Sequence, residues 1–201
     1  MTHPIPWISQ YASPSLIEAI IYGGHPKGDD PRWAETGVPD KDAYDYWCAR
    51  WCGIACLRMA LVARDGDAPS LYELVCGCQE YGGYVEEADG SVTGLIYRPF
   101  AAYVADKHGL RADVITDLDA ARLRAELASG RLVMASVSPE IRRPECMPSS
   151  TGGHLVLVTG CSGGLVTFHN PSGHTPQAGI ATLPEAVFDR FAAHRGLSLH
   201  M

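Results

Sequence analysis

Residues 52–64, Cys52-Gly-Ile-Ala-Cys-Leu-Arg-Met-Ala-Leu-Val-Ala-Arg64, form the most clearly helical stretch of the sequence. Apolar side chains recur at the i, i+4, i+7 and i+8 spacing of one helix face, at Cys52, Cys56, Met59 and Ala60. A helix with such a face packs against a core. Cys52 stands at or just before its first turn, where free backbone N–H groups and the helix dipole favour a thiolate over a thiol. The stretch therefore predicts a core helix that carries a cysteine at its N-terminus.

The order of the remaining elements predicts the fold class. A proline-punctuated loop is predicted over residues 25–42. Helices are predicted over residues 14–22, 52–64, 70–76, 99–108, 120–128 and 184–194, and strands over residues 132–137, 154–159 and 165–169. Helices come first and a mostly antiparallel sheet follows, which indicates an α+β fold.

Length and composition limit the class of protein. The chain has 201 residues, 46% of them hydrophobic, which predicts one globular domain over residues 1–201. The net charge of −7 argues against nucleic-acid partners and an anionic membrane surface. No apolar run approaches the ~20 residues of a membrane span, and the N-terminus lacks signal-peptide features. Seven cysteines, an odd number, indicate reduced thiols and a cytoplasmic location. The oligomeric state is left open.

A nucleophilic cysteine needs a histidine as proton acceptor and a third group that orients the imidazole. His154 follows two glycines and opens the apolar run 155–158, where a polar ring costs free energy unless it is hydrogen-bonded. Two readings therefore stay open: His154 as the base for Cys52, or His154 as a structural residue that caps a core strand. Cys52 has the same alternative, because free cysteines are commonly buried.

Pairing of the two last predicted strands supplies a candidate for the third group. If the connection between them centres on Ser162, His154 lies directly opposite Asn170 on one face of the sheet. If the turn is a tight two-residue loop, His169 takes that face instead. We prefer Asn170, although residues 170–173 are also typical of an ordinary turn.

Cysteine spacing also raises the question of a metal. Cys48, Cys52 and Cys56 are four residues apart, and Cys76 and Cys78 form a further pair. A zinc site normally uses a Cys-x2-Cys knuckle or a matched histidine pair, and neither is present. We therefore predict no metal and no cofactor, and core packing for most of the other cysteines.

Three segments together resemble the papain-like cysteine peptidase superfamily, most closely its bacteriocin-leader (double-glycine) peptidase-like branch. They are Cys52–Met59, Gly153–Gly160 and Phe168–Pro171. The resemblance implies a papain-like α+β fold, in which an N-terminal helical layer carries the nucleophile helix and packs on a C-terminal, mostly antiparallel sheet. The interval before Cys52 is longer than usual in this branch, which implies an insertion around residues 20–46.

Carried over residue by residue, the resemblance implies Cys52 as nucleophile, His154 as base and Asn170 as orienting residue, where this branch often has Asp. In this branch a Gln precedes the nucleophile and helps to form the oxyanion hole, and the segment Pro6–Gln10 implies Gln10 for that role. A peptide or an amide-containing small molecule is the implied substrate.

The predicted reaction is acyl transfer through a thioester, with hydrolysis of a peptide or amide bond as its outcome. Two alternatives remain open: an amide-forming acyltransferase with an amine acceptor, as in natural-product tailoring, and a catalytically silent domain that binds peptides. We also predict that the loop ending at Gly153 forms a substrate-binding rim. Arg142 and Arg143 in this loop could receive a substrate carboxylate, although a surface ion pair is the alternative for both.

Overall fold

A computed structural model describes residues 3–201 as helices packed on both faces of one antiparallel sheet. The helices are α1 (Ile17–Tyr22), α2 (Lys41–Trp47), α3 (Cys52–Asp65), α4 (Leu71–Glu80), α5 (Tyr97–His108), α6 (Ala120–Ala128), α7 (Pro176–Gly179) and α8 (Glu185–Phe191). The strands are β1 (Tyr84–Glu86), β2 (Val92–Gly94), β3 (Ala112–Ile115), β4 (Leu132–Val137), β5 (His154–Ser162), β6 (Leu165–His169), β7 (Ile180–Pro184) and β8 (Ala192–Leu199). The predicted α+β class is confirmed.

Six strands form the main sheet in the order β3-β8-β4-β5-β6-β7, and every neighbouring pair is antiparallel. Side chains alternate between the two faces, as the period of two in a strand requires. On β5, Leu155 and Leu157 face the core shared with the N-terminal helices, while Val156 and Val158 face the core shared with α6 and α8. The sheet is thus buried on both faces, which explains why β4 and β5 read as continuous apolar runs.

Helix α3 is the central element of the N-terminal layer. It begins at Cys52 and ends where Gly66 takes a left-handed conformation at φ 89°. Most of its side chains are buried, and it packs on β5 and β4. This confirms the prediction of a core helix and puts Cys52 in its first turn, directly beside the start of β5.

The helix predicted over residues 184–194 is present over residues 185–191, but it does not close the chain. Helix α8 ends at Phe191, and β8 follows and runs through the middle of the sheet between β3 and β4. His194 and Arg195 interrupt the apolar pattern of this strand, and Gly196 is required because a Cβ atom there would collide with the carbonyl of Met134. Because of these residues, β8 lacks the continuous apolar run that is typical of a central strand.

Neither predicted register of the β5–β6 hairpin is correct. Ser162 pairs with Leu165, so the turn consists of Gly163 and Gly164, both with positive φ, as a tight hairpin turn requires. An irregularity at Val158–Gly160 shifts the pairing by one residue, and Leu157 then lies opposite His169. Extended in the same register, the hairpin brings His154 level with residue 172 rather than residue 170.

Residues 20–46, the predicted insertion, run from the end of α1 through two short 3₁₀ turns into α2. Buried Asp30 ties this segment to its surroundings. Its carboxylate accepts hydrogen bonds from the backbone N–H and hydroxyl of Ser13, from the hydroxyl of Tyr44 and from the backbone N–H of Arg32. The segment therefore folds back onto the chain that follows Gln10.

Candidate active site

A cavity of about 720 Å³ lies between the N-terminus of α3 and the start of β5. Cys52 and His154 both line it, together with Gly153 and Leu155. The two candidate catalytic residues, 102 positions apart in the sequence, thus line one cavity. The cavity therefore lies where the N-terminal helical layer, which carries Cys52, meets the sheet, which carries His154.

The hydrogen bonds of Asn170 define the state of the His154 imidazole. The backbone N–H of Ser172 donates to Oδ1 of Asn170 at 3.0 Å, which identifies Oδ1 as the amide oxygen. Nε2 of His154 lies 2.8 Å from the same oxygen and must therefore carry the proton. In the neutral imidazole Nδ1 is then the proton-accepting nitrogen. Asn170 thus orients the ring, although it does so from a position diagonal to His154 rather than opposite it.

The backbone of Asn170 is fixed from two sides. Its N–H donates to the carbonyl of Gly179, and its carbonyl accepts from the indole N–H of Trp7 at 2.8 Å. His169, the alternative partner in the second predicted register, instead places Nδ1 3.0 Å from the carbonyl oxygen of Pro6. His169 therefore anchors the N-terminal segment and does not contact His154.

Ser172 is a site residue that the sequence analysis missed. It is fully buried, and its Oγ lies 3.0 Å from Nε2 of His154 and 3.1 Å from Oδ1 of Asn170. Nε of Arg142 donates to the same oxygen at 2.7 Å. The observed hairpin register brings Ser172 level with His154, and this register depends on an irregularity in β5 that the sequence does not signal.

Cys52 does not have the lowered pKa that the helix N-terminus predicts. Burial raises the pKa of its thiol, and hydrogen bonds from the backbone N–H groups of Leu155 and Gly53 offset only part of that rise. Part of its surface nevertheless remains exposed toward the cavity. The prediction of a thiolate from the helix N-terminus is therefore wrong, because burial raises the pKa of the thiol more than the nearby N–H groups lower it.

Burial, and to a lesser degree the positive charge of Arg142, lower the pKa of His154 to about 3, although the hydrogen bond to Asn170 acts to raise it. Imidazole and thiol are accordingly both neutral near pH 7. A neutral imidazole can accept the thiol proton as the sulfur attacks, so this state is competent for general base catalysis.

Gln10 is buried beside the two catalytic segments. Its Nε2 donates to the carbonyl of Cys48 at 2.8 Å, its carbonyl accepts from the indole N–H of Trp51 at 2.6 Å, and its N–H donates to the carbonyl of Pro171. The residue thus joins the chain just before Cys52 to the chain just after Asn170. Its Oε1 is buried without a hydrogen-bond partner in residues 3–201.

Glycines before His154 shape the wall of the cavity. Gly152 and Gly153 both have positive φ, 81° and 97°, which side chains disfavour. A Cβ atom at Gly152 would also come within 2.9 Å of Nη2 of Arg195 and 3.0 Å of Oγ of Ser136. The predicted rim residue Gly153 does line the cavity.

The two arginines predicted for the rim lie elsewhere. Arg142 contacts Ser172 behind the imidazole, and Arg143 stacks on the ring of Tyr22 at 3.5 Å and lies 3.9 Å from Glu18. Neither lines the cavity. The cavity contains three other arginines, which the sequence analysis did not single out: Arg50, Arg98 and Arg195.

The cysteines are free thiols, and among residues 3–201 no group of three or more His, Cys, Asp or Glu side chains is arranged to hold a metal ion. None of the helices in the described part of the chain is both long enough and apolar enough to span a bilayer.

Comparison with known proteins gives one family. The sequence model of the Peptidase_C39 like family matches residues 32–194. This range contains Cys52, His154 and Asn170, whereas Gln10 precedes it. No curated protein matches the chain.

Proposed function

The chain belongs to the Peptidase_C39 like family, and from that premise we propose that it hydrolyses a peptide or amide bond through a thioester on Cys52. The observation that carries the proposal is the cavity that Cys52 and His154 share, with the imidazole held by Asn170 so that Nδ1 is free of its proton. A peptidase-type activity is what the family itself supports.

The first half of the reaction forms the thioester. Sγ of Cys52 attacks the substrate carbonyl carbon while Nδ1 of His154 accepts the thiol proton. The carbonyl oxygen becomes an oxyanion, for which we propose the backbone N–H of Cys52 and Nε2 of Gln10 as donors. The carbon–nitrogen bond then breaks, and the imidazolium returns its proton to the departing amine.

The second half releases the acyl group. A water molecule attacks the thioester, and His154 accepts one of its protons. The carbon–sulfur bond breaks, the carboxylic acid leaves, and the proton returns to the sulfur. An amine in place of the water would give an amide instead, so the acceptor decides between a hydrolase and an acyltransferase.

Digestion of a mixed octapeptide library, read by mass spectrometry, tests the proposal. The wild-type chain should yield fragment pairs whose summed mass exceeds that of the parent by one water. Cys52→Ala should abolish them, whereas Cys146→Ala, which removes an exposed thiol, should not.

The same digestion in the presence of added glycinamide separates the outcomes. Hydrolysis products alone support the peptidase, and acyl-glycinamide products in their place would establish the acyltransferase. Binding of peptides without either product would leave the silent peptide-binding domain and overturn the proposal.

A further inference from the structure

The charged side chains that line the catalytic cavity are all cationic. Arg50, Arg98 and Arg195 line it, and no Asp or Glu does, within the described residues. The chain as a whole carries a net charge of −7. The cavity is therefore a local positive region in an acidic protein, and such a region concentrates anions.

These three arginines also lack carboxylate partners. Within residues 3–201 none of them forms an ion pair with Asp, Glu or the C-terminus. Most arginines outside the cavity do form one, namely Arg32, Arg64, Arg111, Arg122, Arg124, Arg131 and Arg143. All three cavity arginines therefore lack a carboxylate partner, whereas most arginines elsewhere have one.

Neighbouring groups hold two of the three guanidinium groups in place. Arg50, two residues before Cys52, stacks on the ring of Tyr46 at 4.5 Å and donates to the Tyr46 carbonyl. Arg195 projects from β8 beside Gly152, and its side chain contacts the hydroxyl of Tyr97. Both line the cavity, and a guanidinium group has five N–H donors in a planar fork that matches a carboxylate.

We propose that this cavity selects acyl substrates that carry carboxylates near the bond to be cleaved, which rests on the function proposed above. The carboxylate is a Glu or Asp side chain or a peptide C-terminus, since both present the same group. Arg50, Arg98 and Arg195 pair with it as the substrate enters. Neutral and basic peptides gain nothing from these groups and bind more weakly.

Equilibrium binding of rhodamine-labelled pentapeptides tests the proposal without requiring turnover. One peptide carries two Glu residues and a C-terminal amide, a second carries Gln in place of Glu with the same amide, and a third carries Gln and a free C-terminus. By fluorescence anisotropy, at least one carboxylate peptide should bind about tenfold more tightly than the neutral one, and added salt should reduce the difference. The first and third peptides distinguish side-chain from C-terminal recognition.

Arginine variants assign the preference to the cavity. Arg98→Gln is the mildest change, because the Arg98 side chain lines the cavity and has no hydrogen bond or ion pair among the described residues. It should reduce the preference about threefold, the size of an exposed ion pair. The triple variant R50Q/R98Q/R195Q should abolish it. Arg58→Gln is the matched control, since Arg58 donates to the carbonyl of Pro69, away from the cavity, and should leave the preference unchanged.

Equal binding of the three peptides, or a preference that survives the triple variant, would overturn the inference. Its failure is distinguishable from that of the proposed function. Cleavage of library peptides without preference for acidic ones leaves the peptidase and removes the anion site. Charge-selective binding without cleavage supports the anion site and overturns the proposed peptidase.

The rate of alkylation at Cys52 measures the positive electrostatic potential in the cavity independently of peptide binding. Iodoacetate and iodoacetamide differ by one negative charge, so the ratio of their rates reports the potential at the sulfur. The ratio at Cys52 should exceed the ratio at exposed Cys146 and fall in the triple variant. Equal ratios at the two cysteines would contradict a cationic cavity.

Discussion

Oγ of Ser172 lies 3.0 Å from Nε2 of His154, in a position with no exposure to solvent. The hydroxyl has one proton and two lone pairs, and the structure offers a partner for each. It accepts from Nε2 of His154 and from Nε of Arg142, and it donates to Oδ1 of Asn170. The ring of His154 is therefore held by a connected network rather than by Asn170 alone.

Replacing Ser172 by Ala should lower kcat about fivefold to tenfold with little change in KM. The change removes one hydrogen bond to the imidazole, and a loss of about 1 kcal/mol corresponds to roughly fivefold in kcat. It also leaves Nε of Arg142 without its acceptor. Steady-state kinetics on a peptide from the library would measure it. Ser129→Ala is the matched control, because the Ser129 hydroxyl bonds only to the end of α6. Equal kcat values for the two variants would contradict a positioning role for Ser172.

Arg142 should set the acid limit of activity. Its charge adds to the effect of burial in holding the pKa of His154 at about 3, so the imidazole stays neutral at pH values well below the usual pKa near 6.5. Arg142→Gln removes that charge, raises the pKa of His154 and moves the acid limb of kcat/KM to higher pH. NMR titration of the His154 ring protons measures the same shift directly.

A lysine variant separates the charge of Arg142 from its hydrogen bond. Arg142→Lys keeps the charge and loses the Nε donor, so the acid limb should stay near that of the wild type while kcat falls. Arg143→Gln serves as control, since Arg143 stacks on Tyr22 away from the imidazole. An acid limb unmoved by Arg142→Gln would refute the electrostatic role.

Asn170→Asp should keep most of the activity, whereas Asn170→Ala should lose ~10²-fold or more in kcat, the contribution of a correctly placed base. Aspartate retains the oxygen that accepts from His154 and Ser172, and Nδ2 of Asn170 is buried without a hydrogen-bond partner in residues 3–201, so no donor contact is lost. The added negative charge raises the pKa of His154, and the acid limb should move to higher pH. A profile identical to that of the wild type would mean that the carboxylate does not face the ring.

Local sequence patterns were sufficient to predict the position of helices and strands that have a clear apolar periodicity. Helix α3 and strands β4 and β6 begin where the sequence predicts, because apolar spacing and glycine stops act within a few residues. Strand β8 was missed because it owes its place to pairing with strands on both sides, and charged residues obscure its start. Strand pairing joins residues that are distant in sequence, so it cannot be predicted from the local pattern of a single sequence.

Some residues of the candidate site could likewise be predicted from local sequence, whereas others depend on the assembled fold. Cys52 and His154 could be nominated from their local settings, a helix start and the mouth of an apolar strand. The register that brings Ser172 beside His154 depends on an irregularity at Val158–Gly160, which no turn residue signals. The cavity arginines come from three elements distant in sequence, so only the assembled fold shows that they share a wall.

Asp30 should govern the stability of the segment that holds Gln10. Burial raises the pKa of its carboxyl, but hydrogen bonds from Ser13, Arg32 and Tyr44 lower it more, and the net pKa is below the usual value. The carboxylate therefore stabilises the fold above the unfolded-state pKa of about 3.9, and this contribution is lost as the pH falls through the lower folded-state value.

Asp30→Asn should lower the free energy of unfolding in urea by about 2–4 kcal/mol at pH 7, because the amide puts an N–H group where a carboxylate oxygen accepted two hydrogen bonds. The neighbouring exposed Asp29→Asn should change it by less than about 0.5 kcal/mol. The difference between the wild type and Asp30→Asn should shrink as the pH is lowered below 4, since the carboxylate is then protonated first in the unfolded state and, at lower pH, in the folded state. Tyr44, which bonds Asp30, also accepts the backbone N–H of Ala12, two residues from Gln10. The loss of stability should therefore be accompanied by a fall in kcat, and a destabilised variant with unchanged kcat would show that the Asp30 network does not position Gln10.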